Sequence, residues 1–177
     1  MKKIIIALLI LPASVCMGQQ KINDSSTKGV LLQQLKETQD QAEWFVPLHE
    51  AIQDLTPAQA MWKPDDSSHS VVQLVSHLLF WNARGLNLFN GKHDAPFKGS
   101  NDETFSNLQS AQWLAIVQRV DSLSAAWEQA IAAHAGALTV EQTQIVTRMS
   151  PHNAYHTGQI MYVRKQERAW DAVKGVH

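Results

Sequence analysis

Four stretches of this 177-residue chain carry apolar residues at steps of three and four, and no stretch alternates apolar and polar residues for long enough to build a sheet. In the first, over residues 28–55, Leu32, Leu35, Phe45, Leu48, Ile52 and Leu55 define one face, with Pro47 expected to kink the helix. A second run opens near Ser70 and carries Leu74, Leu78 and Trp81. A third, over about 104–134, aligns Phe105, Leu108, Ile116, Val120, Leu123, Trp127 and Ile131, with Gly136 as its stop. Ser150-Pro151 reads as the start of a fourth helix running to about residue 165, because Ser caps free N–H groups and Pro suits the first helical position. Residues 139–149 either extend that helix or pack as a separate turn. Amphipathic helices with no sheet to cover must bury their stripes against one another, so the expected fold is all-α, an antiparallel four-helix bundle.

The connections fit this reading. Thr56-Pro57 ends or redirects the first helix, and a loop through Lys63-Pro64-Asp65-Asp66-Ser67-Ser68 leads to the second. Residues 91–104, with Gly91, Pro96, Gly99 and Asn101, read as a long connection. At 45% hydrophobic and 18% charged the chain has enough apolar surface to fold as one domain. Its formal net charge is -1 and its basic residues are dispersed, which argues against nucleic acid as a partner.

The N-terminus has its own character. Lys2 and Lys3 precede an apolar run from Ile4 to Leu11, and small residues follow around Ser14 and Gly18, the pattern of an export signal. The run is far shorter than the roughly 20 residues of a spanning helix, so no stable membrane span is expected. The expected organisation is a signal peptide over 1–18 cleaved after Gly18, a flexible arm over 19–27 and a helical bundle over 28–170. The chain is then exported, periplasmic or secreted, and Val15 before the lone Cys16 disfavours lipoprotein processing. The mature chain would have no cysteine, so any metal must rest on His, Asp or Glu.

The chemistry concentrates in Pro151-His152-Asn153-Ala154-Tyr155-His156-Thr157-Gly158-Gln159-Ile160. Histidines four apart on a helix share a face, and here that face also carries Met149, Ile160 and Val163, so both rings should point inward. Such a pair can chelate a divalent ion, and His77, among Leu74, Leu78 and Trp81, could supply a third imidazole and leave one position open for water or substrate. The alternative is a set of core histidines satisfied by carbonyls and hydroxyls. The spacing is that of a zinc peptidase H-E-x-x-H, but Asn153 stands where the Glu base would be, and an amide cannot serve as a base. His49 is weighed as a fourth ligand or base, and Tyr155 and Gln159 as groups that orient a ligand or hold a substrate oxygen. His69, His93, His134 and His177 fall in loops, a tail or a helix end and are left out of the site.

S-H-L-L-F-W over 76–81 and H-N-A-Y-H-T-G-Q-I over 152–160, with Trp62-Lys63-Pro64 before them, resemble the DinB/YfiT-like superfamily. The resemblance implies a four-helix bundle of up-down-down-up order and a three-histidine metal site, carried here by His77, His152 and His156. It also implies a range of activities, from metal-dependent hydrolases to transferases or isomerases that use small thiols. Thiol transfer loses weight for an exported chain. The leading expectation is a metal-dependent hydrolase acting on a small-molecule substrate, with Zn, Ni or Fe as the ion. The alternatives are a non-catalytic metal-binding or structural bundle and a thiol-dependent S-transferase or isomerase. A homodimer is compatible with all three.

Overall fold

The computed structural model describes residues 24–106 and 112–174. The expected signal peptide and Leu108 lie outside the described residues. Among those residues the chain is all-helical: α1 (Thr27–Gln39), α2 (Leu48–Ile52), α3 (Pro57–Met61), α4 (Val71–Phe89), α5 (Trp113–Ala133) and α6 (Val140–Gln166), with short 3-10 turns at Asn101–Thr104 and Ala172–Lys174.

Capping explains most of the starts. Thr56 with Gln59, Ser70 with Gln73 and Thr139 with Gln142 each form a reciprocal capping box at the heads of α3, α4 and α6. Ser26 caps α1 by accepting from the Gly29 N–H. No helix among the described residues is long and apolar enough to cross a membrane.

Three expected boundaries are corrected. The first run is not one kinked helix: α1 stops at Gln39, and Pro47 caps α2 in an extended conformation. A proline disfavours helical geometry in the residue before it, and Trp44 and Phe45 of the intervening segment are exposed instead of joining the core. The third helix begins at Trp113 and not near Thr104, which closes a 3-10 turn, while Phe105 packs beside it. The fourth begins at Val140, the open reading in which residues 139–149 extend it, so Ser150 and Pro151 lie inside it and do not start it. Pro151 is on the exposed face, as is Thr147, whose carbonyl the proline leaves without its usual donor, and water can serve there. The Ser150 hydroxyl donates back to the Val146 carbonyl at 3.2 Å.

The long helices pack in a closed circuit, α1 on α5 and α6, and α4 on α5 and α6. At one end Lys28 Nζ reaches the His134 carbonyl and Gln142 Nε2 reaches the Phe89 carbonyl, both at 3.2 Å. Trp127, fully buried, donates its indole N–H to the Asn82 carbonyl at 3.1 Å. Gly85 permits this, because a Cβ there would lie 3.1 Å from Trp127 and from Met149. Two apolar clusters result, one around Ile52, Leu74, Val75 and Ile160, the other around Leu35, Trp127, Ile131 and Val146.

Candidate metal centre

α4 and α6 bring together the three histidines expected from the sequence. His77, His152 and His156 each offer a ring nitrogen, and those nitrogens lie within 4.8 Å of one another. The closest pair is His77 Nε2 and His152 Nε2, 3.0 Å apart. His77 and His156 are buried and His152 is half-buried.

The surroundings settle which nitrogen of two of these rings carries the proton. The Thr104 hydroxyl donates to the Asn101 carbonyl at 2.5 Å, so toward His77 it can only accept, and His77 Nδ1 donates to it at 2.5 Å. His77 Nε2 is therefore a lone pair. Gln159 offers its carbonyl oxygen to His156 Nδ1 at 2.6 Å, which fixes that ring in the same tautomer, and its Nε2 donates to the Tyr155 hydroxyl at 3.4 Å. His152 Nδ1 is buried without a partner among the described residues. The result is two lone pairs directed at the space where the third ring also presents Nε2.

Electrostatics keep the rings neutral. Burial pushes His77 down to about 3, aided by the neighbouring His156 and His152 and then by His69. Burial likewise pushes His152 down to about 4, with His156 contributing. His156 is lowered by burial against the opposing pull of its Gln159 bond. Neutral imidazole is the form that ligates a divalent ion. The donors fit such an ion: bonds of about 2.0–2.1 Å in tetrahedral array would set nitrogens about 3.3 Å apart, near the observed 3.0 Å of the closest pair. Among the described residues no fourth His, Cys, Asp or Glu joins the group.

An open cavity of about 680 Å³ lies over the rings, walled by Trp81, Asn101, Asp102, Phe105, Arg148 and Tyr155 among others. Phe105 is stacked on His77 with centroids 4.0 Å apart and 7° between planes, and His69 stacks on Phe105 at 4.0 Å and 3°. His69 thus belongs to the cavity wall, contrary to its exclusion from sequence, although its nitrogens do not join the cluster. Gln159 takes the orienting role weighed for it. His49 is corrected: its Nδ1 lies 2.7 Å from Asp121 Oδ1 on α5, in a separate groove with Lys36 and Glu128, so it is neither a fourth ligand nor a base at this centre. Thr104 was missed. Its one sequence signal is the Ser100-x-x-Glu103 pattern, which forms a capping box at the head of the 3-10 turn and so sets Thr104 against His77.

Asn153, at the position a peptidase would give to its base, faces away from the cavity. Its amide exchanges hydrogen bonds with that of Asn82, Asn82 Nδ2 to Asn153 Oδ1 at 2.8 Å and the return bond at 3.4 Å. The H-E-x-x-H chemistry is absent in structure as in sequence.

No curated protein and no solved structure matches the chain. A family model described as the DinB superfamily matches residues 34–162, from within α1 to the last turn of α6 and including all three histidines. With well over half of its residues so matched, the chain belongs to the DinB superfamily.

Proposed function

We propose that this protein is an exported metal-dependent hydrolase, with His77, His152 and His156 as ligands of one divalent ion and an open coordination position facing the cavity. The observation that carries this reading is the tautomer of His77 and His156, which turns two buried lone pairs toward a third imidazole that has at most one N–H to share between them. Buried acceptors without donors are costly, and a cation removes that cost. A bound ion would supply Lewis acidity toward water or a substrate carbonyl. The chain's own residues do the rest. Thr104 and Gln159 hold two rings in orientation, while Phe105 and Trp81 give the cavity apolar walls that bring a substrate close and displace solvent. Three ligands and a cavity favour catalysis over a closed structural site, which takes a fourth protein ligand.

The bundle is read as up-down-down-up. The contact of Lys28 with His134 supports α1 antiparallel to α5, and that of Gln142 with Phe89 supports α6 antiparallel to α4. Export rests on the charged and apolar pattern of residues 1–18.

The test is a panel of small esters, amides, lactones and phosphoesters offered to protein loaded with Zn, Ni or Fe. Hydrolysis of at least one class, abolished by chelator and by His156→Ala, is expected. Stoichiometric ion with no hydrolysis of any class would overturn the hydrolase reading and leave a metal-holding bundle.

A further inference from the structure

Two opposite charges face the cavity. Arg148 stands on α6 one turn before His152, on the same side of the helix, and Asp102 stands on the 3-10 turn two residues before Thr104. Both are exposed, and among the described residues neither forms an ion pair, with the other or with anything else. Among the described residues, and apart from the histidines, they are the only ionic side chains in the cavity wall. By contrast, Arg84, the nearby arginine of α4, is engaged by Asp94 at 3.8 Å, by the Ala95 carbonyl at 2.8 Å and by the Phe80 ring.

Each charge is tied to a different ligand histidine by a short, rigid link. Arg148 is fixed to His152 by one helical turn, a rise of about 5–6 Å. Asp102 is fixed to His77 through Thr104, whose hydroxyl accepts from the ring. The positive and negative groups thus line the cavity over the histidines from two different elements, α6 and the 3-10 turn. An arginine fork takes a carboxylate through two parallel hydrogen bonds, and a carboxylate takes an ammonium group.

We propose that the substrate of this site is a small zwitterion of amino-acid type, its carboxylate held by Arg148, its ammonium group by Asp102, and its reacting group turned toward His77, His152 and His156. The assignment rests on the metal reading above and adds to it the class of molecule that enters. A doubly charged phosphate is disfavoured, because Asp102 would face it across the same opening.

Three hydroxamates serve as probes, since the hydroxamate group chelates a metal and the rest of each molecule differs in charge. Acetohydroxamate has no further charge, glutaric monohydroxamate adds a carboxylate, and glutamate γ-hydroxamate adds a carboxylate and an ammonium group. Binding is read from the visible spectrum of the cobalt-loaded protein, with bound cobalt and helical circular dichroism checked for every variant. The expected order is glutamate γ-hydroxamate, then glutaric monohydroxamate, then acetohydroxamate, with a step of about tenfold each, the size of one charge-assisted contact. Arg148→Gln erases the gain from the carboxylate, Asp102→Asn erases the gain from the ammonium group, and acetohydroxamate binds all three proteins alike. Equal binding of the three probes, or a preference unchanged in the variants, overturns the zwitterion assignment while the metal site stands. If none of them perturbs the spectrum of bound cobalt, the open coordination position itself is wrong, and the proposed function fails together with this inference.

Discussion

Between α4 and α6 lie two buried polar groups built from neighbouring residues, and they behave in opposite ways. Asn82 and Asn153 close on each other: Asn82 Nδ2 serves both Asn153 Oδ1 at 2.8 Å and the Leu78 carbonyl at 2.9 Å, and Asn153 returns a bond at 3.4 Å. His77, His152 and His156 do the reverse, for the outer nitrogens of two of them are occupied by Thr104 and Gln159 while the three inner ones meet with at most one N–H, that of His152, among them. Asn153 follows His152 directly, yet about 100° of helical rotation separates a satisfied pair from an unsatisfied triad. A self-satisfied polar pair holds two helices in register and asks for nothing further. A triad whose outer partners force its lone pairs inward asks for a cation.

The contrast predicts different consequences for substitutions only a residue apart. Asn153→Ala leaves the Asn82 amide buried with part of its bonding lost, so it should destabilise the protein by about 2–3 kcal/mol in urea unfolding, with one metal ion per chain retained. If metal is lost and stability is not, the asparagine pair is part of the centre and the contrast collapses. Thr104→Val removes the acceptor that orients His77 and should weaken metal binding by about 10–100-fold with little change in unfolding midpoint; Gln159→Leu should act in the same direction on His156, by about tenfold. Competition with a chromophoric chelator reads both, and an unchanged affinity in Thr104→Val would show that packing alone orients the ring.

Acid should act on the triad and spare the amide pair. In the unfolded chain His77 and His152 titrate near 6.5, whereas in the folded metal-free protein burial holds them at about 3 and about 4. Below pH 6.5 the unfolded state binds protons that the folded state refuses, so their contribution is complete above that pH and is lost as pH falls toward 4. The urea midpoint should be flat from pH 8 to 7 and decline between 6.5 and 4. A flat midpoint down to pH 4.5 would mean that the rings accept protons in place. The smallest effect is expected at His49, whose pairing with Asp121 is about 43% exposed on each side: His49→Asn should change stability by less than about 1 kcal/mol and metal content not at all.

Much of the centre was legible because its ligands follow a helical rule. The step from His152 to His156 and the apolar neighbours of His77 were enough to orient three rings, and Ser70 announced the start of α4. What escaped depended on contacts distant in sequence. Thr104 meets His77 across 27 residues, and His69 lines the cavity stacked on Phe105, 36 positions away in sequence. The start of α6 was misread for a local reason: Ser150-Pro151 imitates a helix start, while the true one, Thr139 with Gln142, precedes a polar first turn in which the apolar stripe is thin. Pro47 misled in the opposite sense, since it separates two helices where a kink was expected.

The central claim, that the inward lone pairs hold one ion, is tested most directly by counting bound metals in purified protein by mass spectrometry. His77→Ala and His152→Ala variants are prepared alongside, and Asn153→Ala serves as the control from the other polar group. The account predicts about one divalent ion per chain in the parent and in Asn153→Ala, and none in either histidine variant. A parent that takes up no ion after incubation with Zn, Ni and Fe would contradict it, and the three rings would then be core histidines and nothing more.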